Sequence, residues 1–297
     1  MKLTLLAVLI SAVSISSCGG SSDSDPATGQ SALSGVFVDS PVQGLAYSAG
    51  SESGVTDQDG TIRYMEGDQV AFSIGSLDLP SFDAMSVMTP LDVFGGAEPS
   101  DLSVVNLSRL LQSLDEDSNP ENGITISTAA ASSAPEIIDF GQTDEDFSAD
   151  AGVLNLVANS GAENTELVSS LDASRHLQAS LADLGELEAF GVVDYTDLII
   201  GNTTTYTNEG NSYYYRPDGV RFAVEDGVAI ETTWRLDESG AICEVTSRGT
   251  DFCIADAVGL LLTKAPGSDV YNYSDETYVG VFTVAPGDTQ GLASSSQ

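Results

Sequence analysis

Tyr213-Tyr214-Tyr215-Arg216-Pro217-Asp218-Gly219-Val220-Arg221-Phe222-Ala223-Val224 puts Tyr213 and Tyr215 on one side of an extended run, breaks at a turn, and resumes as a second apolar run. A two-residue period interrupted by Pro-Asp-Gly is the signature of a β-hairpin. Further short runs of strand type follow at Val228 to Leu236, Ala241 to Thr246, Val258 to Thr263 and Tyr278 to Val284. Their even spacing predicts an antiparallel meander or a small barrel over residues 196–290, with strands from about Asp197 to Ala285.

Upstream the period changes. Between residues 99 and 190 apolar residues recur at helical spacing. Ser100 is a candidate N-cap with Asp101 in the first turn, and Val104, Leu107, Leu111 and Leu114 share a face widened by Leu110. Further helices are predicted near Ala151 to Asn159 and Glu163 to Leu184, the latter with Leu167, Leu171, Leu177 and Leu181 near one stripe. Residues 34–98 alternate again at Val36 and Val38, Ile62 and Tyr64, and Phe72 and Ile74, with Gly44, Gly54, Asp59-Gly60 and Gly67-Asp68 at turn spacing. The expected fold class is α+β: an N-terminal β module, a central helical segment and a C-terminal meander or barrel.

The first 33 residues read differently. Lys2 is a positive start, Leu3 to Ile15 is an apolar stretch too short to span a bilayer permanently, and Ser16-Ser17-Cys18-Gly19-Gly20 follows it. Small residues before a cysteine resemble the lipobox of bacterial lipoproteins. That resemblance implies a signal peptide over 1–17, cleavage before Cys18 and acylation of its thiol. Acyl chains anchor because each buried methylene contributes about 0.8 kcal/mol. Residues 18–33, rich in Gly, Ser and Asp, are expected to be a flexible tether. By resemblance to enterobacterial lipoproteins, Gly19 in place of an Asp favours the outer membrane; the face is open. Ala257 to Thr263 is the longest later apolar run, too short to cross a membrane.

The 297 residues carry 45 acids against 9 Lys and Arg, a formal charge of −36, and only Lys2 and Lys264 are lysines. Such a surface repels nucleic acid and anionic headgroups, suits high salt and attracts divalent cations. An apolar content of 41% supports true cores. Cys243 and Cys253 are the remaining cysteines and, in an oxidising compartment, are expected to pair, closing the C-terminal domain.

Gly35-Val-Phe-Val-Asp39-Ser-Pro41-Val-Gln-Gly44, Gly54-Val-Thr-Asp57-Gln-Asp59-Gly60, Gly67-Asp68-Gln-Val-Ala-Phe72-Ser-Ile-Gly75, Thr89-Pro90-Leu91-Asp92 and Val105-Asn106-Leu-Ser-Arg109 through Leu114-Asp115-Glu-Asp117 form a recurring set. It resembles a mostly uncharacterised adhesin-like module of bacterial lipoproteins and large surface proteins, over roughly residues 34 to 185. Gly201-Asn202-Thr203, Tyr215-Arg-Pro217-Asp218-Gly219, Trp234, Cys243, Cys253 and Pro286-Gly287 resemble periplasmic lipocalin-like barrels. Neither resemblance supplies a catalytic residue.

Four places carry candidate chemistry. In the run Asp115 to Gly123, the oxygen donors Asp115, Asp117, Asn119 and Asn122 form a candidate calcium loop, although Pro120 and Ile126 stand where an EF-hand needs Gly and Glu. The competing reading is a polar helix exit with an Asn-Gly turn. Asp57 and Asp59 read as a hairpin turn before a metal site. Gly50-Ser51-Glu52-Ser53-Gly54 has Glu, not Ser, at its centre and lies between strand-like runs, so it is not a nucleophile elbow. His176 is the only histidine and sits beside an apolar helical stripe. Trp234 and Tyr206, Tyr213, Tyr214, Tyr215, Tyr271 and Tyr273 either line a barrel mouth or fill a core.

The expected function is a membrane-anchored, non-enzymatic lipoprotein acting as a surface or periplasmic binding and adhesion module for a protein or glycan partner. The alternatives are a carrier of a small apolar or sugar ligand in the C-terminal barrel, and a serine hydrolase using His176 with an unassigned serine.

Overall fold

The computed structural model describes residues 31–245 and 248–294. The signal segment 1–17, Cys18 and nearly all of the tether lie outside them. Residues 32–297 make up one compact unit. β1 opens at Leu33, the last residue of the expected tether 18–33.

The N-terminal part holds β1 (Leu33–Phe37), β2 (Val42–Gln43), β3 (Ala46–Ala49), β4 (Glu52–Val55), β5 (Thr61–Tyr64), β6 (Gln69–Ile74), β7 (Leu77–Asp78), β8 (Phe82–Asp83) and β9 (Val87–Met88). They form two small sheets, β5-β1-β9 and β4-β3-β6-β7, with β8 on β6. Alternation is clearest in β6, where Val70, Phe72 and Ile74 are buried and Gln69, Ala71 and Ser73 less so. Then come α1 (Pro90–Val93), α2 (Leu102–Ser113), β10 (Ile124–Thr125), α3 (Thr128–Ser133), α4 (Asp144–Ala149), α5 (Ala151–Ala158) and α6 (Ser170–Leu184). β10 runs back to pair in parallel with β2.

Leu107, Leu110, Leu111 and Leu114 are fully buried in the same cluster as Phe37, Phe72 and Phe147, so the helical stripe covers the β module. At about 25 cal/mol per Å² of apolar surface, this burial is the main stabilising term there. Asp101, one residue after the expected Ser100, is the N-cap of α2. A smaller cluster of Val104, Leu177, Leu181 and Leu187 joins α2 to α6.

The C-terminal part begins with β11 (Glu188–Ala189) and a helix, α7 (Val192–Ile199), where the sequence predicts an exit into strands. Val192-Val193-Asp194-Tyr195 is rich in strand-favouring residues. Helix wins because the Asp194 carboxylate accepts from the Gly191 N–H at 3.2 Å and because Tyr195 and Ile199 stack on one buried face.

After it come β12 (Asn202–Tyr206), β13 (Asn211–Arg216), β14 (Val220–Glu225), β15 (Val228–Leu236), β16 (Ile242–Val245), β17 (Asp251–Cys253), β18 (Leu261–Lys264), β19 (Val270–Ser274) and β20 (Val279–Pro286). With β11 they build a ten-stranded sheet in the order β11-β18-β19-β20-β12-β13-β14-β15-β16-β17. The end strands β11 and β17 do not pair with each other, so the sheet is an open antiparallel meander and not a closed barrel. α7 packs against one face of the sheet: Tyr195 and Ile199 cluster with Tyr215, Ile242, Tyr273 and Phe282, and the Thr196 hydroxyl accepts from the Ile242 N–H at 3.1 Å.

The hairpins follow their turn residues. Asp226 and Gly227, with φ of 52° and 75°, make the two-residue turn from β14 to β15. β15 then serves two neighbours, its first six residues pairing with β14 and its last three with β16. Cys243 and Cys253 form a disulfide, and they lie directly opposite each other in β16 and β17. The bond therefore staples the edge hairpin. It does not close the domain, as the sequence reading expects. Among the described residues no helix is long and apolar enough to cross a membrane.

Candidate functional site

β12 and β13 deliver Tyr206, Tyr213 and Tyr215 to the face of the meander that α7 covers, α7 adds Tyr195, and β19 and its following turn add Tyr273 and Tyr278. These six rings line a cavity of ≈ 300 Å³ with Arg221, Glu244, Glu209 and Asp275. Alternation explains the choice on β13. Tyr213 and Tyr215 point in, whereas Tyr214 points out and stacks on Phe222 at 6.5 Å. Phe282, fully buried, backs these rings, with Tyr271, Tyr206 and Tyr195 around it at 5.3, 5.3 and 5.8 Å.

Gly280, the second residue of β20, makes room for the wall. A Cβ there would lie 2.6 Å from the Tyr278 ring and 2.7 Å from the Tyr206 ring. Glycine inside a strand marks such a close approach.

Arg221 is the cavity's one basic residue. It sits directly opposite Tyr215 across the β13–β14 ladder. Its Nε lies 2.6 Å from Glu244 Oε2 and its Nη2 lies 3.0 Å from Glu225 Oε1. Its guanidinium stands 4.6 Å over the Tyr213 ring and 5.9 Å over the Tyr215 ring. Burial opposes the charge on Arg221, but Tyr215 and Glu244 outweigh it and hold the guanidinium above its ordinary value. Burial pushes the Glu244 carboxyl up, against the pull of Arg221. Tyr215 donates to Glu244 at 2.8 Å, and Tyr273 donates to Asp275 at 2.7 Å. Burial raises the hydroxyls of Tyr195, Tyr206 and Tyr215, which keeps them protonated as donors.

Of the aromatic residues the sequence singles out, Tyr206, Tyr213, Tyr215 and Tyr273 reach the cavity. The others do not line it: Trp234 donates its indole N–H to the Arg216 carbonyl at 2.9 Å, and Tyr271 stacks on Phe282 beneath Lys264. Tyr195, Tyr278, Arg221 and Glu244 escape the sequence reading. Only the phase of β14, with Arg221 in step with Tyr215, offered a signal for one of them.

In the candidate calcium loop the carboxylates accept hydrogen bonds from the loop itself. Asp115 accepts from the backbone N–H groups of Asn119 and Thr125, both at 2.8 Å. Asp117 accepts from the Asn119 N–H at 3.1 Å and from Asn122 Nδ2 at 2.9 Å. The oxygens thus face the loop's own donors, and Asn119 contributes its backbone. Among the described residues no group of three or more His, Cys, Asp or Glu is placed to hold a metal ion. Asp57 likewise caps its own turn, accepting from the Asp59 and Thr61 N–H groups at 3.0 Å. Gly50-Ser51 is the two-residue turn between β3 and β4.

His176 has acquired partners no local motif foretold. Its Nε2 lies 3.0 Å from Ser40 Oγ and its Nδ1 3.1 Å from Glu121 Oε1. This is the order of a serine triad without its working parts. Ser40 is 8% exposed and lies outside the wall of the ≈ 710 Å³ cavity that His176 and Glu121 line. Pro41 follows it, so the next residue has no N–H to offer an oxyanion. The acid is inverted too, with the Glu121 side chain 79% exposed where a triad buries its carboxylate. The cluster reads as the polar seam between β1's exit and α6.

Asp39 belongs to that seam and is fully buried. Gln112 Nε2 donates to its Oδ2 at 3.0 Å, while its Oδ1 has no hydrogen-bond partner. Burial pushes its carboxyl up to about 6, against the opposing pull of His176 and Gln112. The folded state therefore holds a proton that the unfolded chain, with an ordinary value of 3.8, has released. Stability from this group is present below pH 4 and is lost as pH rises toward 6. Asp39→Asn is expected to be more stable than the parent at pH 7, by on the order of 3 kcal/mol, with the difference vanishing below pH 4. Urea midpoints across pH 4 to 7.5 check this; an equal offset at every pH would refute it.

Comparison with protein-family models, with curated proteins and with solved structures found no match to this chain.

Proposed function

We propose that this protein is a membrane-anchored lipoprotein whose folded part is a non-enzymatic binding module, and that the tyrosine-lined cavity of the C-terminal meander holds its ligand. The carrying observation is the convergence of six tyrosines from four separate segments on one open cavity beside a paired arginine. A core needs no such opening. Rings presented around a cavity, with hydroxyl and carboxylate groups among them, are what a small-ligand site requires. At ≈ 300 Å³ the cavity fits a small molecule or the terminal unit of a larger glycan or protein partner. The anchor reading rests on Lys2, Leu3 to Ile15 and Ser16-Ser17-Cys18. It supports an outer-membrane location, with the binding unit on a tether.

One preparation tests both halves. The chain is purified from the membranes of its own host and weighed twice. Under denaturing conditions the mass is expected to begin at Cys18 and to carry acyl groups, both lost in Cys18→Ser. Under native conditions a ligand mass is expected, lost in Tyr213→Leu. An unacylated Cys18 overturns the anchor. An empty native spectrum at all collision energies overturns the cavity as the binding site.

A further inference from the structure

We infer that the tyrosine cavity is selective for a small organic cation bearing an ammonium or trimethylammonium head. The inference rests on the cavity being a ligand site, as proposed above, and adds its chemical class. Three carboxylates, Glu209, Glu244 and Asp275, face the cavity against a single guanidinium. That guanidinium is already held at both ends by Glu225 and Glu244, so an incoming anion finds no unpaired cation there. Asp275 keeps its charge: burial opposes ionisation, but donation from Tyr273 and from Thr277 holds its carboxyl below the ordinary range.

The rings themselves are suited to a cation. The face of an aromatic ring is electron-rich and attracts ammonium groups within about 6 Å of its centroid. The chain already uses these rings so: the guanidinium of Arg221 rests over Tyr213 and Tyr215 at 4.6 and 5.9 Å. Tyr206 and Tyr278, 6.2 Å apart and tilted by 52°, and Tyr273, 5.9 Å from Tyr278, carry no such cation among the described residues. They stand beside Asp275 and the exposed Glu209. The wider field points the same way. A chain of formal charge −36 repels anions from every approach and draws cations toward an acidic cleft.

Calorimetric titration of the mature chain with four probes tests this: choline, its uncharged isostere 3,3-dimethylbutanol, glucose and acetate. Choline is expected to bind about tenfold tighter than the isostere, the size of a partly desolvated cation–π contact. Acetate is expected not to bind. Added salt is expected to weaken choline and leave the isostere unchanged. Tyr278→Phe keeps the ring face and is expected to hold affinity within about threefold, whereas Tyr278→Leu loses about tenfold. Glu209→Gln, at an exposed position that leaves the fold intact, is expected to weaken choline and flatten its salt dependence. Equal affinity for choline and its isostere overturns the cation assignment. So does glucose binding that Tyr278→Leu abolishes while choline fails; the ligand site itself then survives. If no probe binds and the native spectrum of the host-purified chain is also empty, the ligand site falls, and the cation assignment with it.

Discussion

Arg221→Ala is expected to cost about 3–5 kcal/mol, the usual penalty for removing one partner of a buried ion pair. The Arg221 side chain is 4% exposed, and its loss strands Glu244 and Glu225 at 19% and 21% exposure. At 2–4 °C per kcal/mol for a chain of this size, the melting midpoint falls by roughly 10 °C. The deficit depends on pH in a definite direction. Burial already raises the Glu244 carboxyl, and Arg221 alone among its charged neighbours pulls it down. Without Arg221 it rises further, so the folded state favours the protonated acid. The deficit is largest at neutral pH and shrinks as pH falls and Glu244 takes up a proton. Adding Glu244→Gln to Arg221→Ala restores part of the lost stability, because the stranded charge is gone. If thermal melts at pH 5 and pH 7.5 showed the same deficit, the ion pair would not be its source.

Phe37→Ala probes the other core. Phe37 is fully buried on β1, its ring 4.8 Å from Phe72, within the cluster that also holds Leu107 and Leu111. Removing a large buried ring loses its transfer energy and leaves a cavity, together about 3–5 kcal/mol. Phe37→Leu conserves much of the volume and is expected to lose about 1.5 kcal/mol or less. The expected readout is a lower urea midpoint at unchanged slope. A loss under 1 kcal/mol for Phe37→Ala would mean that β1 is not built into the core as described.

Much of this fold is legible because it is local. The hairpin around Pro217-Asp218-Gly219 needs only alternation and turn chemistry, and β13 and β14 form where that pattern places them. The stripe on α2 is likewise a matter of spacing, and its leucines are buried. What the sequence hides is what distance creates. Ser40 meets His176 across 136 residues, so no spacing names that serine. The cavity takes Tyr206, Tyr213 and Tyr215 from neighbouring strands, which alternation points to. Tyr195 comes from a helix in the stretch between the expected helical segment and the expected strands, and Glu244 from a strand three places beyond β13 along the sheet. The choice between a closed barrel and an open meander also lay beyond periodicity, since closure depends on whether the end strands meet.

The strand order has a consequence for how the chain is assembled. β12 stands in the middle of the ten strands, between β13 and β20, and Thr203 bonds to Gly287 across 84 residues. A ribosome delivers β13 just after β12, but β20 only after β14 to β19 have been made. The centre of the sheet is therefore the last part to be completed, because the β12–β20 ladder waits for every other strand of the sheet. Removing β20 would split the ten-stranded sheet through its middle, leaving β12 and β19 as raw edges. A strand made late is the keystone of a sheet begun long before it, since β20 pairs with β12 along the whole of β12.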